Sequence, residues 1–186
     1  MSIIVIEGSN GVGKSTIIKY LEKKYDVISK KSIPDWFRKY IIYARTCEPN
    51  IQKKIYLIGH EANFQESKDN KNYIFDRFYY STIIRLNYQL GKSISETINE
   101  ILKIDFLPKQ IFYITANEKI IEHRLLERDN SNFDLNFYKY ENEVYKQLLT
   151  LCDIINLVDN SYDIDDTIIK ISNIISNKNL MVRKRK

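Results

Sequence analysis

The chain has 186 residues, 44% of them hydrophobic and 28% charged, with a formal net charge of +5. That length suits one well-filled core, here taken as residues 1–180, and argues against two ordinary domains. No apolar run approaches the ~18 residues of a membrane span, and the net charge concentrates in Arg183-Lys184-Arg185-Lys186, so residues 181–186 read as a solvated basic tail rather than a nucleic-acid groove.

Short apolar runs alternate with longer helical stretches, which predicts an α/β fold: a central parallel sheet of about five strands with helices on both faces. Ser2–Ile6 is the first strand. It has no basic leader and no small-residue cleavage site, so it is not read as a signal peptide. Gly8-Ser9-Asn10-Gly11-Val12-Gly13-Lys14-Ser15 follows and matches G-x-x-x-x-G-K-[ST] at every fixed position. The glycines allow backbone N–H groups to turn inward around a phosphate, where a Cβ would interfere. A helix over Lys14–Lys24, with Ile17, Ile18, Leu21 and Tyr25 at helical spacing, points its positive end at the same anion. Lys14 is expected to reach the β- and γ-phosphates of ATP, and the Ser15 hydroxyl to coordinate Mg²⁺, with Thr16 supporting the helix start. The setting, strand then loop then helix, is that of a P-loop NTPase fold.

Asp26–Ser29 is the next strand, and Tyr73–Phe75 a third that ends in Asp76. Strand ends face the ligand crevice of an open α/β sheet. Asp76 can therefore hold Mg²⁺ or accept a proton from an acceptor group, and Arg77 can clamp a phosphate with its fork of donors. Ser93-Ile94-Ser95-Glu96 is a capping box, opening a helix with Ile98, Ile101 and Leu102 inward. Gln110–Ile114 and Ile154–Val158 complete the strands. Between them, Asn117–Arg128 is helical and places Arg124 and Arg128 on one face. With the polar stretch Asp129-Asn130-Ser131-Asn132 it reads as a short mobile lid, whose two arginines would neutralise charge on a transferred phosphoryl group. Phe137, Tyr140, Val144, Tyr145, Leu148 and Leu149 form a long buried helix stripe. Cys47 and Cys152 lack metal or redox spacing and fit a reducing cytoplasm. His60 carries little signal of its own, and His123 reads as a helix-surface residue. Phosphoryl transfer relies on positioning and electrostatics, so it needs no catalytic histidine.

Ile6-Glu7-Gly8 through Thr16, together with Asp76-Arg77-Phe78-Tyr79-Tyr80-Ser81-Thr82, resembles the thymidylate kinase family. Leu107–Ile114 is similar to the family's strand after a proline, and Val158-Asp159-Asn160-Ser161 to its late loop beside the adenine. The resemblance implies ATP- and Mg²⁺-dependent phosphorylation of a deoxynucleoside monophosphate, dTMP giving dTDP, by a homodimeric enzyme. It implies that Lys14, Asp76, Arg77, Arg124 and Arg128 carry catalysis. It also implies that Glu7, Arg38, Phe64, Arg77, Tyr80 and Ser81 bind the acceptor. Two places depart from the family pattern: Asn10 stands where an acidic residue contacts the sugar, and the stretch from Leu57 to Phe64 lacks the arginine that reads thymine. The alternatives are a deoxynucleoside kinase, which would replace Asp76-Arg77-Phe78 with Glu-Arg-Ser, and another small-acceptor kinase. A nucleotide-dependent switch is a further alternative, but Asn117-Glu118-Lys119 lacks the order of a guanine-reading segment.

Overall fold

The computed structural model describes residues 2–105, 107–129 and 133–184. Within them the β-rich runs become one parallel sheet: β1 (Ile3–Glu7), β2 (Ile28–Lys31), β3 (Tyr73–Asp76), β4 (Gln110–Thr115) and β5 (Ile155–Asp159). Their spatial order is β2-β3-β1-β4-β5. β1 is central, with Ile4 in register with Ile74 on one side and Gln110 on the other. The helices are α1 (Lys14–Lys24), α2 (Arg38–Ala44), α3 (Pro49–Gln65), α4 (Tyr79–Gln89), α5 (Ile94–Ile101), α6 (Glu118–Asp129), α7 (Leu135–Leu151) and α8 (Ile164–Asn177). Among the described residues, no helix is long and apolar enough to cross a membrane.

Side-chain alternation along the strands divides the core into two layers. Ile4, Ile6, Ile74, Phe112 and Ile114 face α1 and α8, where Ile17, Leu21, Ile168 and Ile171 meet them. Ile3, Val5, Phe75, Ile111 and Tyr113 face α4, α5 and α7, against Ile83, Ile98, Val144 and Leu148. Because β1 is buried on both faces, all five of its residues are sealed from solvent.

The capping box at Ser93 forms: Glu96 N–H donates to Ser93 Oγ at 3.3 Å and Ser93 N–H to Glu96 Oε2 at 2.8 Å. Leu102 corrects the expectation that it points inward. It ends this eight-residue helix and is 48% exposed, because the buried face closes at Ile101. β2 begins two residues later than expected. Asp26 N–H instead donates to Val182 O, and Tyr25 forms an antiparallel bridge with Arg183. The segment expected to be a solvated tail is therefore docked at its start: Met181 is buried and Lys184 N–H donates to Lys24 O. Arg185 and Lys186 lie outside the described residues, as do Asn130, Ser131 and Asn132 of the expected lid.

Candidate active site

The site forms at the carboxyl ends of β1 and β3. Here the three glycines of the loop, Gly8, Gly11 and Gly13, all adopt positive φ. At Gly13 (φ 97°) an added Cβ would lie 2.4 Å from Asn160 Nδ2, and at Gly8 it would lie 2.2 Å from the backbone oxygen of Ile114. The loop is braced from beneath, since Asn160 Nδ2 donates to Val12 O at 2.8 Å and Asn160 Oδ1 accepts from Thr167. Ser9 Oγ donates to Glu141 Oε2, which ties the loop to α7.

Lys14 is buried and folded back on its own loop, donating to the carbonyls of Gly8 (2.9 Å) and Ser9 (2.8 Å). Burial, and next the Arg77 guanidinium, bring its ammonium down to about 7. Two carboxylates lie behind the loop, Glu7 and Glu141, both fully buried. Glu7 Oε1 accepts from Phe78 N–H at 2.8 Å. Burial pushes the Glu7 carboxyl up to about 7 against the opposing pull of Arg77.

That contact with Phe78 helps hold the turn in which Arg77 sits at φ 68°, left-handed backbone that a non-glycine residue rarely adopts. The turn aims Arg77 Nη2 at Asn10 Oδ1, 2.9 Å away. Outliers of this kind cluster at ligand clamps and active sites.

Two cavities meet at Asn10 and Arg77. The smaller, about 270 Å³, is lined by Gly11, Gly13, Lys14, Ser15, Thr16, Asp76, Arg77, Arg124 and Arg128. Here the geometry brings together the motif, the strand-end carboxylate and both α6 arginines. Arg124 reaches Gly11 O (3.4 Å) and Asn160 O (3.3 Å). Asp76 Oδ1 is buried and meets no hydrogen-bond partner among the described residues. An orphaned carboxylate oxygen on a residue that lines the same cavity as Ser15 fits Mg²⁺, which uses few protein ligands and completes its shell with phosphate and water.

The larger cavity, about 560 Å³, rises from the loop between α3, α4 and the start of α7. Ser9, Asn10, Arg77 and Ser81 line it, joined by Arg45, Gln52, Tyr56, Arg85 and Gln89, none of which was named as a site residue from sequence, and by Phe137, which was read as part of a buried stripe. Arg85 pairs with Asp134 at 3.3 Å and stacks its guanidinium 4.3 Å from the Phe137 ring centre. Behind the wall, His60 is buried between Ser32 O (3.0 Å) and Thr82 Oγ1 (2.8 Å), with burial bringing its imidazole down to about 4.

Several sequence candidates stand elsewhere. Arg38 pairs with Asp35 at 2.8 Å on the exposed side of the β2–α2 connection. Its neighbours Pro34, Asp35 and Trp36 line a separate groove that touches the site only at Ser15 and Asp76. Phe64 packs on Phe78 in the core, and Tyr80 packs on Tyr79 and Tyr145. Glu7 supports the Arg77 turn from below and lines neither cavity. Val12 is also buried, offering its carbonyl to Asn160.

The lowered pKa of Lys14 gives a measurable signature. A triphosphate favours the charged ammonium and raises its pKa, so binding above pH 7 draws a proton from solvent. At pH 8 the calorimetric enthalpy of ATP binding should vary with buffer ionisation enthalpy, reporting an uptake approaching one proton. Below pH 7 the ammonium is already charged and the uptake should fade; a buffer-independent enthalpy at pH 8 would contradict this.

No family model and no curated protein matches the chain. Solved structures do. Thymidylate kinase from Candida albicans superposes with a TM-score of 0.75 at 18% identity, covering 100% of this chain and 95% of that one. Thymidylate kinase from Ehrlichia chaffeensis gives 0.66 at 18%, covering 94% and 98%. Deoxyadenosine kinase from M. mycoides with bound dATP gives 0.62 at 21%, covering 95% and 100%. The fold is therefore that of P-loop nucleoside and nucleotide kinases, shared across almost the whole chain.

Proposed function

We propose that the chain transfers the γ-phosphoryl group of ATP to a deoxynucleoside monophosphate, with dTMP as the main substrate and dTDP as product. One observation carries the choice of a phosphorylated acceptor. Among the described residues the larger cavity holds three guanidinium groups, Arg45, Arg77 and Arg85, against one carboxylate, Asp134, already engaged with Arg85 and with the N-terminus of α7. A phosphomonoester dianion complements that excess of positive charge; a neutral nucleoside would leave it uncompensated.

In this reading the loop N–H groups cradle the ATP phosphates, and Lys14 exchanges the Gly8 and Ser9 carbonyls for β- and γ-oxygens. Arg77, held by Asn10, grips the acceptor phosphate at the junction of the two cavities and aligns it for in-line attack. Arg124 and Arg128 stabilise charge on the group in transfer. Ser15 and Asp76 would hold Mg²⁺, whose chemistry when bound is to neutralise charge on the β- and γ-oxygens.

The likeness to deoxyadenosine kinase supports a second reading, a nucleoside acceptor. A coupled ADP-release assay across deoxynucleosides and their monophosphates separates the two. Turnover with monophosphates is expected; turnover with nucleosides alone would sink the main reading.

A homodimer fits the surface. Ile42 and Tyr43 on α2 and Ile51 and Ile58 on α3 are each at least half exposed, an apolar patch of a kind that marks interaction sites. The mass in solution should be that of two chains, and Ile58→Glu should shift it toward one; an unchanged mass for the variant would remove this face from the interface. A cytoplasmic setting suits both nucleotides and keeps the free thiols of Cys47 and Cys152 reduced.

A further inference from the structure

Beneath the phosphate loop lies a sealed polar chamber that the transfer chemistry does not use. Glu7 at the end of β1 is in register with Tyr113 on β4, so the two side chains stand side by side on one face of the sheet. Tyr113 Oη donates to Asn142 Oδ1 at 2.6 Å and stands 3.5 Å from Glu141 Oε2 on α7. The Tyr145 ring, stacked on Tyr113 with centres 3.7 Å apart, closes the same chamber. Glu7, Glu141 and Tyr145 are all fully buried.

Each carboxylate gives one oxygen to an element of the active site. Glu7 Oε1 accepts from Phe78 N–H at 2.8 Å, at the foot of the Arg77 turn. Glu141 Oε2 accepts from Ser9 Oγ, and the Ser9 carbonyl in turn accepts from the Lys14 ammonium at 2.8 Å. The other two oxygens, Glu7 Oε2 and Glu141 Oε1, are buried and meet no hydrogen-bond partner among the described residues. Orphaned buried oxygens are rare, and two ionised carboxylates sealed in one chamber are costly. A single proton held between them removes one charge and satisfies both oxygens. Burial is the main force opposing ionisation of Glu7, and the charge of Glu141 adds to it. The result is one hydrogen-bonded path, from Ser9 of the donor loop through Glu141 and Glu7 to the backbone that aims Arg77.

We propose that Glu141 is a positioning residue which, with Glu7 and the proton they share, couples the donor site to the acceptor site; the acceptor is that of the monophosphate reading above. Neither carboxylate lines a cavity, so both act through Ser9 and Phe78. A triphosphate that seats Ser9 and Lys14 fixes one end of the path. The Arg77 end then has less freedom left to lose, and by linkage the effect is equal in the other direction.

The test measures Kd for dTMP, and separately for thymidine, with and without Mg²⁺ and β,γ-methylene-ATP, a donor that cannot transfer. In the wild type the analogue should tighten acceptor binding by about fivefold or more. Glu141→Gln keeps an oxygen for Ser9 and an amide donor for Glu7, so it should retain that factor within about twofold. Glu141→Leu keeps the bulk and loses the path, and its factor should fall to about one. Ser9→Ala cuts the path from the loop side and should show the same fall, with no further loss when combined with Glu141→Leu. Thermal melting beside each titration verifies folding, and if Glu141→Leu does not fold, Ser9→Ala decides alone. A folded Glu141→Leu or Ser9→Ala that keeps the wild-type factor would overturn the inference and leave the chamber a structural one. So would a wild-type factor of about one for every acceptor that binds. Binding of thymidine but not dTMP would instead strike the monophosphate reading, and the factor measured with thymidine would still decide the coupling.

Discussion

Lys14→Met should lower kcat by a factor on the order of 10³ or more while leaving the fold intact, because preorganised charges on the transferring group typically contribute that much. Among the described residues that line the smaller cavity, Lys14 alone carries an ammonium, in company with Ser15, Asp76 and Arg77. Methionine keeps the length and apolar stem, so no void opens. The ammonium is itself disfavoured by its buried setting, which brings its pKa down to about 7. Its removal should therefore leave the melting temperature unchanged or raise it. Single-turnover kinetics beside thermal melting reads both quantities. A folded variant that retains turnover within about tenfold of wild type would refute the assigned role of the loop lysine.

Arg77→Ala should raise the KM for a phosphorylated acceptor by about a hundredfold, the loss of charge-assisted bonds worth ~1.5–3 kcal/mol each. KM for ATP should move far less. The backbone at φ 68° complicates an alanine variant, because strain there is independent of the guanidinium. Arg77→Gly separates the two. Glycine adopts that conformation readily, so it should equal or exceed the wild type in melting temperature while sharing the acceptor defect. An acceptor KM unmoved in both variants would remove Arg77 from phosphate binding. With a nucleoside acceptor the KM effect should be absent, which makes the same pair a second check on the substrate class.

What was legible beforehand was whatever a short contiguous stretch encodes. Gly8–Ser15 carries its spacing on its face, and α1 starts and ends where its pattern said it would. Asp76 and Arg77 were readable as the end of a strand. The acceptor wall was not, because it is assembled from three helices whose rotations are set by packing. Tyr80 and Ser81 illustrate the difficulty. They are neighbours on α4, yet about 100° of helical turn separates them; Ser81 faces the cavity and Tyr80 the aromatic core. A signal existed in the polar stripe Ser81, Thr82, Arg85 and Gln89, set against the buried Ile83, Ile84 and Leu86. Gln52 and Tyr56, four apart, offered another. Arg38 was named through the family resemblance, but the turn at Asp35–Phe37 and its ion pair with Asp35 hold it outside both cavities. Glu141 also had a tell. It sits at the core-facing spacing of α7, between Phe137 and Val144, where a carboxylate needs a reason, and Ser9 supplies it.

Glu7 makes the molecule less robust than its core would allow. Its carboxyl titrates at about 7 when folded against an ordinary 4.5, so the folded state holds that proton more tightly. The contribution to stability is complete below pH 4.5 and is lost as pH rises through 7. Above that it amounts to a deficit on the order of 3 kcal/mol relative to a carboxyl left in water. Glu7→Gln keeps an oxygen for the Phe78 N–H and never ionises. It should therefore melt higher than the wild type at pH 8 and nearly level with it at pH 5. Identical melting curves at both values would contradict the assignment. The chain thus carries, directly beneath its phosphate loop, a built-in ceiling on heat tolerance in alkaline conditions, one that a single amide would lift.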